Sequence, residues 1–215
     1  MKTFIVILLF LAYYVLLHFW VFRIYKDDSP SFPRCLLYNN MIVTAVGCTG
    51  IAAMALSLVL NSQTDVRLLL LYYLGMMLLS VLTVTDLKEK RIPNRVLLIM
   101  LGVWAVYILA NMAVDLSTAL QLAAMGFGGM IFNGIVFIIG YFLTKKKLGG
   151  GDVKLAAVLG LFFTTEKSFG VLLYGLILCS LVSAGLLIAK KTKAGAQIPL
   201  CPFLFAGAVI MLQIN

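Results

Sequence analysis

Apolar residues fill this chain in long unbroken runs separated by short polar clusters. The runs show neither the alternation of a half-buried strand nor the narrow apolar stripe of a soluble helix. A helix needs about 20 residues to cross the hydrocarbon of a bilayer. On that measure the pattern predicts helical spans at 3–22, 40–60, 68–85, 96–114, 118–144, 153–165, 168–189 and 200–214. The sixth is short, so a re-entrant half-helix is an alternative reading of it. The first follows Lys2 as a signal peptide would. Its apolar run is too long for one, however, and no small-x-small cleavage site follows, so the span is expected to be retained. The pattern therefore predicts an all-α, polytopic integral membrane helix bundle of about eight transmembrane helices, with no repeat, low-complexity tract or flexible linker.

Composition points the same way. The chain is 63% hydrophobic and 12% charged, where a soluble domain carries about 25% charged residues. A net charge of +9 would suggest nucleic acid in a soluble protein; here it comes from cations in the loops, and the expected partner is the lipid bilayer, with no nucleic acid. Cys35, Cys48, Cys179 and Cys201 are isolated, with no C-x-x-C pair. Free thiols are therefore expected, and neither a metal site nor a cofactor. Of the 17 cations, 14 fall in or beside the odd-numbered loops, leaving Lys2, Arg67 and Lys167. The positive-inside rule then makes those loops cytoplasmic and turns both termini outward. A re-entrant sixth segment would put Lys190, Lys191 and Lys193 outside, so the charges favour a short true crossing.

The chain has eight acidic residues. Asp65, Asp115 and Glu166 fall in external loops, and Asp27 and Asp28 in a solvated cytoplasmic one. That leaves Asp86, Glu89 and Asp152. Glu89 is assigned to the solvated loop, whereas Asp86 directly follows LLLLYYLGMMLLSVLTVT and Asp152 opens VKLAAVLGLFF. Asp152 could simply cap its helix. Asp86 lies at a helix C-terminus, where the dipole disfavours an anion, and ionisable groups at membrane depth usually face a bundle interior or a cavity. Two such carboxylates can share one proton and act as an acid–base pair on water and a scissile carbonyl. Gly149, Gly150 and Gly151 would let an extended peptide approach Asp152; the alternative is a flexible turn between helices. A phosphate-binding loop is excluded, because G-x-x-x-x-G-K-[ST] is absent.

Gly149-Gly150-Gly151-Asp152 followed by Val153-Lys154-Leu155 resembles the G-x-G-D motif of membrane aspartyl proteases, specifically the type IV prepilin peptidases (peptidase family A24). Asp86-Leu-Lys-Glu-Lys-Arg-Ile92-Pro93-Asn94 resembles that family's first-aspartate segment. Ile198-Pro199-Leu200-Cys201-Pro202-Phe203-Leu204 resembles its entry to the last helix. The resemblance implies a peptidase domain over 67–215 behind N-terminal spans over 1–66. It implies Asp86 and Asp152 as the catalytic pair, with Gly149, Gly151, Lys154, Pro199 and Pro202 in the active-site and substrate-binding loops. The implied substrate is a type IV pilin or pseudopilin precursor, cut after glycine at the cytoplasmic face of a bacterial inner membrane. Longer relatives carry paired cysteines after the first span, linked to N-methylation of the new terminus. Here the loop 23–38 holds Cys35 alone, and one cysteine cannot build a four-ligand site, so methyl transfer does not carry over. The competing class is a carrier or a non-catalytic scaffold of a pilus or secretion assembly. Carriers usually place carboxylates near the midplane and show repeated halves; here both aspartates lie at one face. His18 and Asn133 are expected to serve helix packing, and Lys88 and Lys154 to anchor helices at headgroups.

Overall fold

The computed structural model describes residues 13, 15, 41–60, 64–144, 148–190 and 198–214. The described residues form six helices and no strand: α1 Met41–Leu60, α2 Val66–Glu89, α3 Asn94–Met112, α4 Leu116–Leu143, α5 Gly150–Ile188 and α6 Cys201–Gln213. The first five are long and apolar enough to cross a membrane, and the protein is an integral membrane protein. The expected span 3–22, with His18, the loop 23–38, Lys145, Lys146, Lys147, Lys191 and Lys193 lie outside the described residues, apart from Tyr13 and Val15. Tyr13 is helical and buried, and its hydroxyl donates to the Val46 carbonyl of α1.

α2 is the central helix, buried almost without a break from Leu71 to Asp86. α1, α3, α4 and α5 keep large apolar side chains such as Leu, Ile, Val and Phe exposed, whereas no residue of α6 is exposed. That is the expected division in lipid, where an outward leucine costs nothing and association rests on close packing and interhelical hydrogen bonds. The closest approach is between α4 and α5. A Cβ on Gly129 would lie 2.5 Å from the Gly160 carbonyl oxygen, and one on Gly126 2.9 Å from that of Leu161. Asn133 spends its polarity at the same seam, donating from Nδ2 to the Ala156 carbonyl at 3.0 Å and accepting from Ser168 Oγ.

The expected spans 153–165 and 168–189 are joined in one element, α5, and the break between them is a single residue. Thr164 takes φ 56° and ψ 178° inside an otherwise helical segment. Its neighbours define what the break does. Before it, Ala156 faces Asn133 and Leu161 faces Gly126, so the first arm runs against α4; after it, Thr165 bonds Met125 and Phe169 stacks edge-on with Phe132, so the second arm runs along α4. The chain folds back on itself at Thr164. The second arm then pairs with α6 in the opposite direction, Gly170 against Met211 and Gly175 against Leu204.

α6 has 13 residues, about 20 Å of helix, which is too short for the full crossing expected over 200–214. The first arm of α5 is of similar length. α6 begins at the level of Asp86, where Cys201 touches it, and the first arm of α5 ends at the level of Tyr72, where Thr164 touches it. α4 and the second arm of α5 continue past the level of Asp86 towards their ends at Leu143 and Ile188. By register with Asn133–Ala156, α4 extends about 9 Å beyond Asp152. The opposite end of the bundle is closed by Asp115, which caps α4 through Ser117 and Thr118 and pairs with Arg67 at 3.3 Å. Those contacts hold the Asp115 carboxyl well below the usual carboxylate range, the Thr118 hydroxyl contributing most.

Candidate active site

α2 ends in a sharp stop. Lys90 adopts the left-handed conformation, φ 52° and ψ 38°, and returns its N–H to the Asp86 carbonyl at 2.9 Å. This is a helix-ending turn usually made by glycine. Pro93 follows in extended conformation and precedes the first residue of α3. The Asp86 side chain therefore sits one turn inside the end of α2, buried at 5% exposure. Its own helix opposes a negative charge there. A second helix supplies the compensation: Asp86 Oδ2 accepts the backbone N–H of Cys201 at 3.0 Å. Cys201 is the first residue of α6, and the first N–H groups of a helix have no internal partner and carry the positive end of its dipole.

Asp152 lies at a helix N-terminus as well. Gly149 caps α5, and the carboxylate of Asp152, three residues on, lies beside it, a Cβ on Gly149 falling 2.8 Å from Asp152 Oδ2. That place at the start of α5 keeps Asp152 at the same end of the bundle as Asp86, because the adjoining Gly151 packs on Ile92 in the turn after α2. Asp86 is anchored there by the backbone N–H that opens α6.

The glycines differ sharply in what surrounds them. A Cβ on Gly149 would lie 2.8 Å from Asp152 Oδ2, and one on Gly151 would lie 3.2 Å from Ile92 Cβ, whereas one on Gly150 would meet nothing within 4 Å. Gly149 and Gly151 thus let the loop close over the carboxylate and pack on the turn after α2. Lys154 is exposed and donates from Nζ to Asn94 Oδ1 at 3.4 Å, tying the start of α5 to the start of α3. Pro199 lies in the segment that enters α6, and Pro202 occupies its second position, where a missing N–H costs no helical bond. Between them Cys201 keeps its N–H and gives it to Asp86. Glu89 is exposed at the end of α2. Sequence reasoning passed over Cys201 and Thr83, whose hydroxyl reaches the Cys201 carbonyl at 3.3 Å. A backbone donor leaves no letter in a sequence, although prolines on both sides of Cys201 do mark a helix start.

The family model described as type IV leader peptidase family matches residues 73–184, just over half of the chain and inclusive of both aspartates. The chain belongs to that family. It is also similar to the prepilin leader peptidase/N-methyltransferase of Bacillus subtilis (strain 168), at 27% identity over 133 residues, which cover 62% of this chain and 51% of that relative. The chain thus matches about half the length of that curated relative. No solved structure matches it.

Proposed function

As a member of the type IV leader peptidase family, this protein is, we propose, an aspartic endopeptidase. It removes the short basic leader from type IV pilin or pseudopilin precursors at the cytoplasmic face of a bacterial inner membrane. The observation that carries the reading is the convergence of Asp86 and Asp152 from α2 and α5 at one end of the bundle. Charge supports the side: Lys88, Lys90, Arg91, Arg95, Lys154 and Lys190 cluster at the end of the bundle that holds the carboxylates.

The mechanism needs one proton shared by the pair, as like charges at close quarters disfavour double ionisation. The ionised carboxylate takes a proton from water, and the resulting hydroxide oxygen bonds to the scissile carbonyl carbon. The protonated carboxyl gives its proton to the carbonyl oxygen. Collapse of the tetrahedral intermediate breaks the C–N bond, with a proton passing to the leaving nitrogen. The leader gains a carboxyl terminus and the pilin a free amine. Gly149 keeps a side chain away from Asp152 and Gly151 keeps one away from Ile92, so an extended peptide can reach the carboxylate. Methyl transfer is not part of the proposal, because the segment 23–38 offers Cys35 alone.

Purified protein incubated with a prepilin, followed by sequencing of the product's N-terminus, tests the reading. The expected product begins at the residue after the leader's terminal glycine. An unprocessed prepilin under conditions that keep the protein folded would favour the scaffold or carrier class.

A further inference from the structure

The start of α6 is gripped from two sides by a single face of α2. Asp86 accepts the N–H of Cys201, and Thr83, one turn earlier on the same face, donates its hydroxyl to the carbonyl of that same residue. Thr83 is 1% exposed, Asp86 5% and Cys201 fully buried, so both contacts are made away from bulk solvent. Residues three apart on a helix point the same way, which is why two side chains of α2 can hold both polar groups of one residue. The Thr83 proton is shared with the Leu79 carbonyl at 2.9 Å. Bonding to the preceding turn is the ordinary habit of a buried threonine, and Thr85 does only that, donating to Val81 at 2.7 Å. The bond to Cys201 is what sets Thr83 apart.

We propose that Thr83 is a positioning residue for the peptidase reaction: by fixing the Cys201 carbonyl it aims the Cys201 N–H at Asp86. The inference rests on the peptidase reading for its consequence but not for its geometry. Loss of the hydroxyl would leave the Cys201 carbonyl with its intrahelical bond alone and let the first turn of α6 swing from Asp86, which would lose its hydrogen bond from the Cys201 N–H. Thr83→Val keeps the shape of the side chain and removes the donor; Thr83→Ser keeps the donor. Thr85→Val removes an ordinary back-bond next to Asp86 and serves as the control.

Two readouts separate the possibilities. The first needs no catalysis: Cys201 is retained as the sole cysteine, Cys35, Cys48 and Cys179 being replaced by alanine, and its alkylation rate is followed in lipid nanodiscs. Thr83→Val should raise that rate about tenfold, while Thr83→Ser and Thr85→Val stay near the parent rate. The second is the kinetics of prepilin cleavage. Thr83→Val should lower kcat about tenfold with little change in KM, and Thr83→Ser should restore kcat. An alkylation rate unchanged in Thr83→Val would overturn the proposal. So would faster alkylation with kcat as in the parent, because the contact would then be structural only. If the alkylation pattern appears but the parent protein cleaves no prepilin, the grip on α6 stands and the peptidase reading is what fails.

Discussion

At the C-terminal end of α2 the unpaired carbonyls repel an anion, yet Asp86 is buried there, and a backbone N–H from α6 relieves it. Asp152 has the opposite situation, at the start of its own helix with Gly149 behind it. The immediate surroundings of each residue set separate expectations. Gly149→Ala should abolish or nearly abolish cleavage, since the new methyl would lie against Asp152 Oδ2, and Gly151→Val should cut it severely through Ile92; Gly150→Ala should stay within about twofold of the parent, because its Cβ meets open space. Comparable rates for all three in a prepilin assay would return the loop to the flexible-turn reading. Asp115 makes a prediction about stability instead. Its depressed value means that its contribution is complete above the unfolded carboxylate range, about pH 4, and fades as pH falls through the lower folded value. Asp115→Asn should therefore melt earlier than the parent near neutrality, and the gap should narrow as the buffer is taken well below pH 4. Both aspartates of the site were legible in the sequence because charge is so scarce that each acidic residue demands an explanation. The support of Asp86 was not: the Cys201 N–H that holds it belongs to the backbone.

Elements were legible where one physical rule dominates. The runs 40–60, 68–85, 96–114 and 118–144 correspond to α1 to α4 within a few residues, because a bilayer asks only for length and apolarity. The rule weakens after Gly150. Thr164, Thr165, Glu166 and Lys167 interrupt the apolar pattern, but nothing in their letters says that the chain reverses through one threonine in a conformation that usually belongs to glycine. The reversal follows from packing: Gly129 and Gly160 bring α4 and α5 to backbone contact, and the second arm needs the same α4 face for Phe169 and Ser168. Gly160→Leu should separate α4 from α5 and lower the melting temperature of the detergent-solubilised protein by many degrees, while Gly102→Ala, with open space around it, should leave it unchanged. Equal melting of the two variants would mean that the close crossing contributes nothing. The short first arm of α5 and the short α6 also have a use. Helices of full length would carry Asp152 and Cys201 to the surface; as it is, α4 extends about 9 Å beyond Asp152.

For the whole molecule, the account requires Asp86 and Asp152 to act at one membrane face and as one unit. Single cysteines at Glu89 and Gly150 in a cysteine-free chain should resist an impermeant thiol reagent added outside intact cells and react in inverted vesicles. A cysteine at Ser117, beside the Arg67–Asp115 pair, should do the reverse. Labelling of positions 89 and 150 from opposite sides would separate the carboxylates. The N-terminal part, where the family resemblance thins, was legible only as a further apolar run; of its residues before α1, Tyr13 and Val15 are described, and Tyr13 is the one bonded to α1. The central claim is the pair itself. It is tested most directly by prepilin cleavage with purified Asp86→Asn and Asp152→Asn proteins that insert and melt as the parent does. Each single change should remove cleavage entirely, because half of a proton-sharing pair can neither activate water nor protonate the carbonyl in turn. A near-parental rate in either variant would contradict the account.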